Sequence, residues 1–136
     1  MKRWLLDSGI VNDLMNRSEP VESRVREALA KGEHVGVGTP VLGELRAGIE
    51  NCRDREGNLR LLARCLTRLR LWTFDKSAAE AFGTLQAKLR RSGGTMQQVD
   101  VQIAAIAFSL GNCAIVTKDS DLSRVPNLEV VDWSVV

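Results

Sequence analysis

The chain lacks the equipment of several functional classes. It has no tyrosine, one histidine (His34) and three prolines, and aromatic residues make up only 4% of its 136 positions. A single histidine removes two-histidine acid/base chemistry and histidine-rich zinc sites, and any Ser-His-Asp triad would have to use His34. The few aromatics, Trp4, Trp72, Trp133, Phe74, Phe82 and Phe108, fall mostly in apolar segments, which suits a core better than a base-stacking platform. Cys52, Cys65 and Cys113 are widely spaced, so no C-x-x-C metal or redox motif is present and reduced cysteines are expected. The longest uncharged run, Val101 to Thr117, is slightly short for a membrane span and is interrupted at Gly111-Asn112. Lys2 and Arg3 are followed by three apolar residues before Asp7, too few for a signal segment, so a soluble cytoplasmic protein is expected. With 19 cations against 17 acids the net charge is +2, which excludes holding nucleic acid by bulk charge alone but leaves room for a local basic face.

What is there is enough for one core. Hydrophobic residues make up 44%, and the length fits a single domain over residues 1–136. Short apolar runs at Trp4–Leu6, His34–Gly38, Leu71–Phe74, Cys113–Val116 and Leu128–Val131 read as strands. Between them lie helical patterns: Ser8 onward, Val21 to Lys31, a helix opened by Thr39 as cap and Pro40, Leu59 to Leu69 after a Gly57-Asn58 break, a helix capped by Asp75 and running to about Arg91, and an amphipathic stretch around Val99 to Leu110. This alternation predicts an α/β fold, a three-layer sandwich whose short-stranded, mainly parallel central sheet carries helices on both faces.

In open parallel sheets ligands bind beyond the carboxyl ends of the strands. Asp7 follows the first strand. Thr39 follows the second, with Glu44 early in the next helix. Thr117, Lys118, Asp119 and Asp121 follow the fourth, and Asp100 opens the helix before it. Each acid taken alone has a plain explanation as a cap, a macrodipole partner or an Asx-turn residue. Their common edge is what points to chemistry. Two like charges ~4 Å apart repel by about 4 kcal/mol at an effective dielectric of about 20, so such a nest needs protonation or a hard cation. Mg²⁺ or Mn²⁺ prefers oxygen ligands and activates water beside a phosphate, which needs no histidine.

The residues also resemble a known family. Leu5-Leu6-Asp7-Ser8-Gly9, Thr39-Pro40-Val41-Leu42-Gly43-Glu44-Leu45, the segment from Met96 through Asp100 to Ala105, and Thr117-Lys118-Asp119-Ser120-Asp121-Leu122 resemble, in order, the four motifs of PIN-domain proteins. The tail from Val125 to Val130 and Trp133 fits as well, and the whole is most similar to the VapC toxins of type II toxin–antitoxin pairs. The resemblance implies a PIN-like fold and a Mg²⁺- or Mn²⁺-dependent endoribonuclease. Asp7, Glu44, Asp100 and Asp119 would be the catalytic acids. Asp7, Asp100, Asp119 and Asp121 would be the metal set, with Asp121 an outer or second-metal acid and Thr117 a support. It also implies an RNA substrate, a VapB-type antitoxin that blocks the site, and a homodimer. Gly9 departs from the pattern, standing where many members have Asn.

Other features of the chain point elsewhere but carry less. Gly36-x-Gly38 is not a dinucleotide fingerprint, because position 41 is Val. Gly38 to Gly43 has P-loop spacing, but Glu44 stands where the lysine is required. Between residues 46 and 70, seven arginines face three acids. Arg60, Arg64 and Arg68 fall at helical spacing and, with Arg46, are candidate contacts to RNA phosphate or to the antitoxin. The same stretch also reads as a solvated helix face. A PIN-domain RNA-processing nuclease or an inactive RNA-binding module is the alternative function. A phosphoacceptor receiver domain would need an exposed aspartate ending a central third strand, where Asp75 reads as a helix cap.

Overall fold

The computed structural model describes residues 1–136. In chain order its elements are β1 (Arg3–Leu6), α1 (Ser8–Met15), α2 (Val21–Ala30), β2 (His34–Gly38), α3 (Thr39–Glu50), α4 (Arg55–Leu66), β3 (Arg70–Trp72), α5 (Lys76–Arg91), α6 (Gln98–Leu110), β4 (Cys113–Val116), a 3₁₀ turn (Ser120–Arg124) and β5 (Glu129–Val131). The strands form one sheet in the order β3-β2-β1-β4-β5. Every neighbouring pair is parallel, with Leu5 level with Gly36 on one side and Ile115 on the other. The predicted α/β architecture and its parallel sheet are therefore what the chain adopts.

Right-handed crossovers explain the layering. The chain steps from β1 to β2 to β3 in one direction through α1 to α4, then returns past β1 to β4 through α5 and α6. Reversing direction while keeping the hand puts the two sets of helices on opposite faces. α1 packs on α2, α3 and α4, while α5 packs on α6, which lies against β4 and α3. Strands covered on both faces should be apolar without alternation. Leu5 and Leu6 on β1, and Ala114, Ile115 and Val116 on β4, are all fully buried. All but Ala114 join Ile10, Val11 and Leu14 of α1 and Ile103 and Ile106 of α6 in one core of 28 residues.

Several boundaries differ from the sequence reading, each for a local reason. Gly38, not Thr39, caps α3, because the Thr39 hydroxyl accepts a hydrogen bond from the Phe74 N–H at 3.0 Å instead. That same bond draws Phe74 out of the sheet, so β3 ends at Trp72. Helix α4 begins at Arg55, ahead of the expected Gly57-Asn58 break. Asp54 caps it by accepting from the Gly57 N–H at 3.0 Å, and a Cβ on Gly57 would lie 2.1 Å from that carboxylate. Gly57 thus permits the cap rather than ending a helix. Gly36 and Gly38 are packing glycines. A Cβ at Gly36 would sit 2.7 Å from the Arg70 carbonyl, and one at Gly38 2.9 Å from Ile106 Cδ1.

Candidate metal centre

β1 is the switch point of the sheet, since the chain leaves it toward β2 on one side and later fills β4 on the other. Crevices at such points are the usual ligand sites of open parallel sheets. Asp7 lies just past β1 and is bound into this crevice from three sides. Its N–H donates to the Val116 carbonyl at 2.9 Å, continuing the β1–β4 ladder. Its Oδ1 caps α1 by accepting from the Ser8 N–H at 2.8 Å. Its Oδ2 accepts from the Thr117 hydroxyl at 2.7 Å.

Thr117 is the organising residue. It is buried, and its N–H donates to the Val131 carbonyl at 2.9 Å, where β4 gives way to the loop beyond it. Its hydroxyl donates to Asp7 and accepts from the Asp119 N–H at 3.0 Å. One oxygen thus fixes the acid after β1 relative to the acids after β4. Asp119 then caps the 3₁₀ turn, its Oδ1 accepting from the Asp121 N–H at 2.8 Å.

Asp100 comes from the other helical layer, in the first turn of α6, and is buried. Carboxylate oxygens of Asp100, Asp119 and Asp121 all lie within 4.8 Å of one another. Burial pushes the Asp100 carboxyl up to about 6, and the charges of Asp7, Asp119, Asp121 and Glu44 push in the same direction. Glu44, on α3, is also raised above the ordinary carboxylate range, first by desolvation and then by Asp7. The structure therefore brings Asp7, Glu44, Asp100, Asp119 and Asp121 to one crevice, with Thr117 beneath them. No cation of the chain sits among them as a full counterweight. Lys118 is turned away to Asp13 at 2.7 Å, and Arg124 reaches only the outermost acid, Asp121, at 3.4 Å. An all-carboxylate donor set whose charges repel one another fits a hard divalent cation such as Mg²⁺ or Mn²⁺. Asp75, by contrast, accepts from the Ala78 N–H at 3.0 Å as the cap of α5, beside edge strand β3. The receiver arrangement, which needs an exposed acid ending a central strand, is absent.

The arginines are not one track. α4 stops at Leu66, so Arg68 lies beyond the stripe begun by Arg60 and Arg64. It forms a two-pronged pair with Glu22 at 2.7 and 3.1 Å. Arg46 is paired with Glu50 at 3.0 Å. Arg60 and Arg64 are exposed on α4 without an ion-pair partner. The Asp13–Lys118 and Asp121–Arg124 pairs that border the acids escaped the sequence reading. Arg124 had a usable signal in its i+3 spacing from Asp121, whereas Asp13 and Lys118 are far apart in the chain.

Comparison with known proteins finds relatives of the same fold. The family model described as the PIN domain matches residues 4–128. A tRNA(fMet)-specific endonuclease VapC of Shigella flexneri is 28% identical over 134 residues, covering 98% of this chain and 100% of that one. Ribonuclease VapC4 of Mycobacterium tuberculosis is 33% identical over 102 residues, 74% of this chain and 78% of its own. Among solved structures, VapBC2 of Rickettsia felis bound to a DNA fragment from its promoter superposes with a TM-score of 0.88 at 26% identity. That match covers 96% of this chain and 98% of the other.

Proposed function

The chain belongs to the PIN-domain family, and from that premise we propose that it is a metal-dependent endoribonuclease, the toxin of a VapBC-type pair. The observation that carries the proposal is the crevice of acids around Asp100, whose charges the chain compensates only at the outermost acid, Asp121. Asp7, Asp100 and Asp119 would hold a Mg²⁺ or Mn²⁺ ion, with Asp121 as an outer ligand. A bound divalent cation supplies Lewis acidity toward a phosphate oxygen and toward water. Glu44, raised above the ordinary carboxylate range by desolvation and by Asp7, would be the further catalytic acid. Thr117 keeps Asp7 in one orientation by donating to Oδ2, so that Oδ1 stays on the α1 cap. Arg60 and Arg64 offer unpaired guanidinium groups to RNA phosphates or to an acidic partner surface.

The VapBC structures most similar in fold support a VapB-type antitoxin as partner, one that would cover this crevice. The relatives named as ribonucleases support RNA as substrate. A homodimer and a cytoplasmic site of action complete the reading. No helix is long and apolar enough to cross a membrane. The test is cleavage of total RNA by the purified protein with Mg²⁺ or Mn²⁺, with EDTA, and beside Asp100→Asn. Discrete cuts that need the metal and vanish in the variant are expected. Full activity of a correctly folded Asp100→Asn protein overturns the assignment.

A further inference from the structure

A second cleft opens from the acidic crevice and has a different chemistry. It runs between the start of α1, the second half of α3 and the start of α4, with a volume of about 470 Å³. Glu44, Ser8, Asn12, Gly48, Cys52 and Asn58 line it. Leu45 and Ile49 form an apolar floor and are nearly fully buried. The volume lies in the range of small-molecule sites. Its only charged group is Glu44, which repels phosphate, so the nucleic-acid backbone is not the occupant. An unstacked nucleobase is neutral, has an apolar face for such a floor, and presents donors and acceptors at its edge. Resting on the reading of this protein as a ribonuclease, we propose that this cleft holds the base of a nucleotide flanking the scissile phosphate, and that Asn12 and Asn58 read its edge.

The hydrogen bonds of the chain leave the right groups free. The Asn12 carbonyl accepts from Asn16, and no hydrogen bond within the chain engages the Asn12 side-chain amide, so it can both donate and accept. The Asn58 amide is held in one orientation. Its Nδ2 donates to the Asp54 carbonyl at 2.9 Å and approaches Cys52 Sγ at 3.4 Å, and its Oδ1 remains as an unused acceptor. An acceptor at the cleft favours a base with an exocyclic amine over uracil, whose edge sets carbonyl oxygens on both sides of its one donor. Gly48 keeps the space open, since a Cβ there meets nothing within 4 Å.

Gly48→Leu tests this without touching an acid. It fills the cleft and replaces glycine in a helix interior by a strong helix former, which favours folding. The substrates are short oligoribonucleotides of one sequence with A, C, G, U or an abasic residue at each position beside the cleaved bond. The wild type should cut amine-bearing bases at one flanking position roughly tenfold faster than uracil or the abasic residue. Gly48→Leu and Asn12→Ala should bring all five within about twofold of one another. Cleavage by the wild type without base preference overturns the base site and leaves the ribonuclease reading standing. So does a preference that survives Gly48→Leu. If Gly48→Leu keeps the full preference but escapes neutralisation by the antitoxin, the cleft belongs to the protein partner. Should cleavage be too slow to measure, binding of the same oligonucleotides in Ca²⁺ gives the comparison. Base-dependent binding lost in Gly48→Leu supports the site, base-independent binding overturns it, and no binding together with no cleavage overturns both readings.

Discussion

Glu22 and Asp100 are equally hidden, each 8% exposed, and the chain treats them in opposite ways. Glu22, on α2, receives the Arg68 guanidinium in two hydrogen bonds, with Arg26 at 3.8 Å. The Arg68 hydrogen bonds outweigh burial and hold its carboxyl below the ordinary range. Asp100 has only acids as charged neighbours, and burial with their repulsion lifts it to about 6. The same fold thus supplies a counter-ion where an acid joins two helical segments and withholds one at the crevice past β1 and β4. A strained cluster of like charges that the chain could relieve but does not is the electrostatic mark of a site built for an external cation.

The sharpest way to break the comparison is to neutralise both acids' environments separately. Asp100→Asn should lower cleavage by more than about 100-fold, beyond what loss of a supporting residue costs, and should raise the stability of the metal-free protein. The sign follows from its raised carboxyl. Protons bind the folded state more tightly than the unfolded one between pH 3.8 and about 6, so the metal-free wild type loses stability as pH rises through that window. A shift of about two units corresponds to an upper figure on the order of 3 kcal/mol at neutral pH. Thermal melts of the two proteins should therefore diverge at pH 7.5 and converge below about pH 4. A variant that is no more stable at pH 7.5 would mean that Asp100 is not under strain.

Arg68→Ala should do the reverse. It leaves a buried carboxylate with only the more distant Arg26, a loss of 3–5 kcal/mol for a fully buried pair and about 2 kcal/mol here, given that Arg68 is 33% exposed. Glu22 titrates below its ordinary value, so this pair stabilises above pH 4.5 and its contribution disappears as pH falls below that. Denaturant unfolding at pH 7 and pH 3 measures both effects. Cleavage per folded molecule should stay within about twofold of the wild type, since the pair holds α2 to the end of α4 rather than the acids. A fall in cleavage with unchanged stability would instead make Arg68 an RNA contact.

An effect of comparable size comes from the cation itself. Mg²⁺ or Mn²⁺ at 100 times its dissociation constant should stabilise the wild type by about 2.7 kcal/mol, read as a rise in melting temperature. The rise should shrink as pH falls below about 6, because a proton then competes for Asp100. It should be largely absent in Asp100→Asn. Equal shifts in both proteins would place the cation elsewhere.

The sequence made the acids legible because the edge they share is set by topology. Once Asp7, Glu44, Asp100 and Asp119 follow or precede short apolar strands of a parallel sheet, strand order alone carries them to one end. Pairings that depend on side-chain reach were not legible. Arg68 reads as the third member of a helical stripe, and only the end of α4 at Leu66 and the position of Glu22, 46 residues earlier, show otherwise. Gly57-Asn58 reads as a helix breaker because the cap that needs Gly57 lies three residues upstream at Asp54. Thr39 reads as a cap because its competitor for the hydroxyl, the Phe74 N–H, is 35 residues away. Local propensity gave way where another group, near as Asp54 or distant as Glu22 and Phe74, competed for the same atoms.

Thr117 is where the two kinds of order meet, and it is the smallest of the expected effects. Its hydroxyl is satisfied as completely as Glu22, donating to Asp7 and accepting from Asp119, yet what it organises is the uncompensated cluster. Thr117→Val keeps the shape and removes the oxygen. Asp7 Oδ2 and the Asp119 N–H then lose a partner, at about 1–2 kcal/mol, and the two acids are no longer fixed to each other. Cleavage should fall about tenfold, as for other residues that orient ligands, and Thr117→Ser should restore most of it. If orientation is the cause, metal affinity falls in step with cleavage, measured by calorimetry on the same protein. If cleavage fell while metal affinity held, the hydroxyl would be acting on the RNA rather than on Asp7.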